Sequence, residues 1–173
     1  MRAVLCKQWG EPDTLTVEDV PSPQVSAGKV RVRVRACGVN FGDTLMIAGK
    51  YQFKPPLPFS PGFEIAGEVL EVGKDVVHVQ PGDKVIALGE YGGYAEEAVV
   101  PGGMTMPRPS NMDDIHAAAF PVAYGTSHVA LDHRAHLQEG ETLLVFGAAG
   151  GVGLTAIEIG KLMGATVIAC ASS

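Results

Sequence analysis

The cluster Gly147-Ala148-Ala149-Gly150-Gly151-Val152-Gly153 lies between the apolar run Leu143 to Phe146 and a mostly apolar stretch carrying Leu154, Ile157, Ile159 and Leu162. A second apolar run, Thr166 to Cys170, follows. Strand, glycine turn, helix and strand make one βαβ unit, the opening of a parallel sheet. The spacing Ala148-x-Gly150-x-x-Gly153 replaces the first glycine of the usual GxGxxG fingerprint with alanine. Alone such a pattern is weak; its place between a buried strand and a helix is what phosphate binding requires. Gly150 and Gly151 let the backbone approach a pyrophosphate, whose charge meets the free N–H groups of Gly151, Val152 and Gly153 at the helix start. Gly153 also lets the helix pack close to the strand. A tight turn that holds no ligand is the plainer alternative.

Preference between the two nicotinamide cofactors is read at the end of the second strand, about 20 residues on. The chain has Ala171-Ser172-Ser173 there, without the carboxylate that would accept hydrogen bonds from the ribose hydroxyls of NAD. Small hydroxyl residues suit a 2′-phosphate, so NADPH is the expected cofactor, with Ser172 and Ser173 beside it.

Up to Pro109 the pattern is different. Arg31, Arg33 and Arg35 alternate with Val30, Val32, Val34 and Ala36, the period of a strand with one buried face and a wet basic stripe. Gly62 to Gly73, Gly82 to Leu88 and Tyr94 to Val100 read as further strands, and Lys54 to Gly62 as a stiff proline-rich loop. Short strands at this spacing suggest a Greek-key or barrel-like β domain. From Ser110 the pattern turns helical: Ser110 caps, and Asp113 complements the helix N-terminus. Pro121 and Gly125 break the run, and a second helix covers Thr126 to Arg134.

Formal charge is 13 − 19 = −6, which argues against nucleic acid or an anionic membrane as the main partner. No run reaches the roughly 18 apolar residues of a membrane span, and the first twenty residues lack a signal-like apolar region. Cys6, Cys37 and Cys170 form no CxxC pair and fit a reducing compartment. A cytoplasmic location is expected.

An ordered series of markers carries a resemblance. It comprises Gly38-Val39-Asn40-Phe41-Gly42-Asp43, Pro61 to Gly67, Pro81 to Val85, Gly92 to Glu96 and Gly147 to Gly153. In this order the chain resembles the medium-chain dehydrogenase/reductase superfamily, on its zinc-free, quinone-oxidoreductase-like (zeta-crystallin-like) branch. The resemblance implies an α/β architecture: a GroES-like β-barrel domain over residues 1–124, then the first βαβ unit of a Rossmann domain, a doubly wound parallel sheet, over 125–173. Relatives run to about twice this length. With only two strands and one helix of that sheet, residues 1–173 alone are expected to be inactive.

The departures narrow the expectation. Where zinc alcohol dehydrogenases carry their catalytic ligands, the chain has Asn40, Phe63 and Val122, none suited to a catalytic zinc, so no metal is expected. The four-cysteine lobe that holds structural zinc is also missing between Asp83 and Pro109. The resemblance implies Asn40 and Thr126 beside the nicotinamide and acceptor, and Tyr51 as proton donor, as in enoyl-thioester reductases. Many quinone oxidoreductases carry a tyrosine where this chain has Leu45. Each residue also has a plainer use: Asn40 to close a turn, Tyr51 as packing under the proline-rich loop, and Thr126 to start a helix. Asp43 reads as a helix cap rather than a catalytic group. His128, His133 and His136 read as surface histidines, with no third carboxylate or cysteine placed to complete a metal site.

The leading function is NADPH-dependent, metal-free hydride transfer to a small-molecule quinone or an alkene conjugated to a carbonyl, by a protein that is a homodimer at full length. An enoyl-thioester reductase is the second reading. A nucleotide-binding or structural protein without turnover, as some lens crystallins of this family suggest, is the third.

Overall fold

The computed structural model describes residues 1–172, so Ser173 lies outside the described residues. The chain forms two compact units that divide between Ala119 and Phe120. Among the described residues no helix is long and apolar enough to cross a membrane.

In the first unit, β1 (Arg2–Leu5) pairs antiparallel with β2 (Thr16–Asp19), a hairpin for which the sequence offered no alternation to read. Then come β3 (Lys29–Cys37), α1 (Phe41–Ile47), β4 (Glu64–Val72), β5 (Lys84–Leu88), β6 (Glu97–Pro101) and β7 (Thr105–Pro107). Strands β3 to β7 make one antiparallel sheet in the order β6-β3-β4-β5-β7. The expected barrel does not close. Strand β7 is three residues long and pairs with β5 alone, whereas beyond β6 the chain meets β1: the Val4 N–H donates to the Tyr94 carbonyl at 2.8 Å and the Glu96 N–H to the Arg2 carbonyl at 3.0 Å.

Alternation in β3 sorts its side chains as the sequence implies. Val30 and Val32 lie in the core with Ile65, Val69, Val79, Val85, Ala87, Ala98 and Val100. On the other face Arg31 bonds Glu71 at 2.8 Å and Glu97 at 3.1 Å, and Arg33 and Arg35 each lie 3.7 Å from Glu68. The basic stripe is answered by acids across the sheet.

Helix α2 (Asp114–His128) corrects two expectations. Its cap is Asp113, whose Oδ1 accepts the His116 N–H at 2.8 Å, and not Ser110. It also runs unbroken through Pro121 and Gly125 instead of restarting at Thr126. A proline inside a helix costs roughly 3 kcal/mol; the run Ala117-Ala118-Ala119 before it and burial of Ala117 and Ala118 against Ala66 and Ile86 offset it.

In the second unit α2 passes into a π-helical stretch, Val129–Arg134, followed by β8 (Thr142–Phe146), α3 (Gly151–Leu162) and β9 (Thr166–Cys170). Strands β8 and β9 are parallel, with Leu143 opposite Val167 and Phe146 opposite Cys170. Val145 is buried, whereas Leu144, Phe146 and Ile168 face outward and exposed.

Candidate active site

In the first unit the candidate residues gather where β3 ends and β4 begins. Asn40 precedes α1 in an extended conformation, and its backbone N–H donates to Asp43 Oδ2 at 2.8 Å. Its side-chain Nδ2 donates to Glu64 Oε1, also at 2.8 Å. Residue 40 is therefore held at two points, its backbone N–H and its side-chain amide, by carboxylates 3 and 24 residues away.

Asp43 does more than cap. It is 1% exposed and also accepts the Gly62 N–H on Oδ1 at 3.0 Å and the Tyr94 hydroxyl on Oδ2 at 2.9 Å. One carboxylate thus joins α1, the loop before β4 and the loop before β6. Burial pushes its carboxyl above the ordinary range, and its three donors pull the other way. Burial, then the nearby Asp43 charge, raises the Tyr94 hydroxyl well above its usual value. Burial, followed by the charges of Asp43 and Glu64, raises the Cys37 thiol to about 12.

Gly62 is required here. Its φ is +99°, and a Cβ would fall 2.8 Å from the Tyr94 ring and 2.9 Å from Cys37 Sγ. The sequence marked Gly62 and Tyr94 only as members of motifs. Their contact with Asp43 joins residues up to 51 positions apart, and no local pattern reports such a contact.

Phe63 and Tyr51 pack with ring centroids 5.4 Å apart and planes tilted by 48°, beside Gly42 and against the cluster of Cys6, Met46, Ile47 and Phe59. The packing use of Tyr51 is therefore real. Asn40 and Tyr51 thus flank adjacent residues, Glu64 and Phe63, at the start of β4. A groove of about 850 Å³ between β1, β6 and the loops around Phe59 and Tyr91 includes neither Asn40 nor Tyr51.

In the second unit the glycine turn leads from β8 into α3, with Gly150 as N-cap. A Cβ on Gly153 would stand 2.3 Å from the Gly147 carbonyl oxygen and 2.8 Å from Ala148 Cα, so the helix can approach the strand only without one. Gly151 is the opposite case, since a Cβ there meets nothing within 4 Å. Gly150, Gly151 and Val152 are exposed, and by helix geometry the first N–H groups of α3 lack intrahelical partners. The Ala148 N–H donates to the Cys170 carbonyl at 3.0 Å, which sets Ala171 and Ser172 beside the turn.

Thr126 is exposed on α2. Its neighbour Ser127, which sequence reasoning missed, is buried; its hydroxyl lies 2.8 Å from both the Val152 carbonyl oxygen and the Thr155 hydroxyl. That contact holds the Thr126 segment against the first turn of α3. The second unit so brings together Thr126, Gly150 to Gly153 and Ser172.

Residues 26–110 match the family of alcohol dehydrogenase GroES-like domains. A quinone oxidoreductase-like protein 2 homolog of Nematostella vectensis is 46% identical over 170 residues, covering 96% of this chain and 46% of that protein. The crystal structure of the quinone oxidoreductase of Thermus thermophilus, also determined in complex with NADPH, superposes with a TM-score of 0.87 at 39% identity, over 100% of this chain and 54% of that one. The CurK enoyl reductase superposes with a TM-score of 0.90 at 30% identity, covering 99% and 54%. The chain thus spans about half the length of the relatives it matches. By the GroES-like match, these relatives and the shared fold, the chain belongs to the medium-chain dehydrogenase/reductase superfamily, among its quinone-oxidoreductase-like members.

Proposed function

We propose that the protein is the front part of an NADPH-dependent reductase that delivers hydride to a quinone or to an alkene conjugated to a carbonyl. The observation that carries the nicotinamide reading is the open first turn of α3, where Gly151 leaves free space and Ser172 stands beside it without a carboxylate. Gly150, Gly151, Val152 and Gly153 would hold the pyrophosphate, and Ser172 the ribose phosphate, with Ser173 next in sequence. When bound, the cofactor supplies the hydride.

The acceptor class follows from the donor set. Alcohol oxidation needs an alkoxide stabilised, for which zinc members of the superfamily use a Lewis acid. At the matching positions this chain offers an amide bonded to Glu64, a phenyl ring packed against Tyr51, and Val122. These residues do not fit a catalytic zinc, which takes sulfur, imidazole or carboxylate ligands. An already electrophilic acceptor needs no such ion. Asn40 and Thr126 position acceptor and nicotinamide and support negative charge developing on oxygen. Tyr51 Oη or solvent supplies the proton. The same reading includes a homodimeric, cytoplasmic enzyme with a small-molecule acceptor.

An enoyl-thioester reductase is the second reading, supported by the likeness to the CurK enoyl reductase and by Tyr51 beside Phe63. Kinetics separate the two in the intact enzyme. Tyr51→Phe is expected to lower turnover of a trans-2-enoyl thioester by about a hundredfold, the scale of general acid catalysis, because that reaction needs a proton at carbon. A quinone, protonated on oxygen by solvent, should lose far less. Asn40→Ala should slow both substrates. Unchanged rates in both variants would return Asn40 and Tyr51 to turn closure and packing.

Two glycine variants test the cofactor turn. Gly153→Ala should destabilise the second unit by about 1–3 kcal/mol, because both clashing groups are backbone. Gly151→Ala clashes with nothing and should leave the melting temperature unchanged or slightly higher, since alanine is the better helix former by about 1 kcal/mol. Its NADPH affinity should nevertheless fall, as the methyl enters the path of the pyrophosphate. Full affinity in Gly151→Ala would mean the turn is structural only.

A further inference from the structure

Outside the candidate active site, the π-helical stretch after α2 assembles a second group of chemically capable side chains. His128 Nε2 lies 3.8 Å from Asp132 Oδ2, and His133 Nε2 lies 3.7 Å from the same oxygen. The ligand atoms of all three residues fall within 4.8 Å of one another. Among the described residues no other group of three or more His, Cys, Asp or Glu side chains is so placed.

The backbone explains why these three meet. In an α-helix of about 3.6 residues per turn, positions i and i+5 stand about 140° apart, on different faces. His128 and His133 are such a pair. The π-helical stretch Val129–Arg134 widens the turn, with the Ala135 N–H donating to the Ala130 carbonyl five residues back at 2.9 Å. A turn of this width brings residue i+5 over residue i. His128 and His133 then meet edge to face, their ring centroids 5.7 Å apart. Asp132, at i+4, lies between them, so the expectation that no carboxylate completes a histidine site here is corrected. The partner is Asp132, and His136 is not part of the group.

We propose that His128, Asp132 and His133 form a surface binding site for a borderline transition-metal dication such as zinc(II). Two imidazoles and one carboxylate are ligands that zinc accepts, at about 2.0–2.2 Å each, which sets neighbouring donor atoms about 3.4 Å apart around a tetrahedral ion. The two nitrogen-to-oxygen separations already lie within a few tenths of an ångström of that value. The side chains are 57%, 50% and 66% exposed, so the ion can enter and the rings can close on it by rotamer motion. Three protein ligands leave a position for water, so the site is open rather than a sealed structural centre. It lies wholly within the second unit and is independent of the acceptor chemistry.

The test is a titration of the intact protein with zinc(II) by calorimetry, with cobalt(II) absorption as a second probe. One ion per chain should bind, and the imidazole resonances of His128 and His133 should shift together as zinc is added. His128→Ala and His133→Ala should each weaken binding by about tenfold or more. Asp132→Asn should weaken it as well, and His136→Ala should leave it unchanged. All four positions are solvent-facing, and circular dichroism checks that the variants fold. Absence of saturable binding, or undiminished binding in the His128→Ala, His133→Ala double variant, overturns the proposal. So does a zinc-induced shift confined to other histidines.

Discussion

Asp43→Ala is expected to destabilise the first unit by about 4 kcal/mol, from two unpaired buried or half-buried N–H groups and one hydroxyl at roughly 1–3 kcal/mol each. The Asn40 and Gly62 amides and the Tyr94 hydroxyl all donate to this one side chain. Asp43→Asn should cost about half as much, because the amide keeps one acceptor but turns a donor toward a donor. Tyr94→Phe removes one bond and should cost about 1 kcal/mol. Urea unfolding measures all three, and a double-mutant cycle between positions 43 and 94 should show non-additivity. A cost below about 1 kcal/mol for Asp43→Ala would show that the loops hold each other without the carboxylate.

Cys37 should resist alkylation at pH 8 by about a thousandfold relative to an unperturbed thiol. Its pKa is raised from 9.0 to about 12, each unit removes tenfold of the thiolate, and only the thiolate reacts. The direction is fixed by environment: a half-buried sulfur near the Asp43 and Glu64 carboxylates would become an anion among anions. Iodoacetamide labelling followed by mass spectrometry, under native conditions and in urea, gives the ratio directly. Comparable native and denatured rates at Cys37 would mean that the loops before β4 and β6 open readily. The unmodified thiol also matters for packing, since Cys37 Sγ fills the space beside Gly62 and Gly93.

What could be read from the sequence divides by range. The alternation of Val30 to Ala36 and the strand, glycine turn, helix and strand of residues 142–170 are local patterns, and the elements stand where those patterns put them. The Asp43 cap is local too, three residues from its partner amide. The contacts that make the cluster a site are not local. Glu64 answers Asn40 across 24 positions and Tyr94 answers Asp43 across 51, and neither pairing leaves a periodic trace. Pro121 misled for a related reason: a helix-breaking residue was overridden by burial of Ala117 and Ala118, a tertiary effect. The pairing of His128 with His133 stayed hidden because helical spacing assumes the α period, which the π stretch does not keep.

The core beneath the site has a property that its position alone does not convey. Val30, Val32, Ile65, Val69, Val79, Val85, Ala87, Ala98 and Val100 include no leucine, methionine or aromatic side chain. Alanine has no rotamer to freeze, and β-branched side chains are largely confined about χ1 even before folding. Ordering this core therefore surrenders little side-chain entropy, and few alternative packings compete with the native one. Strand β4 leaves that core through Ile65, one residue after Glu64, which holds Asn40. The aim of the Asn40 amide is thus inherited from a layer of side chains with almost no freedom to rearrange.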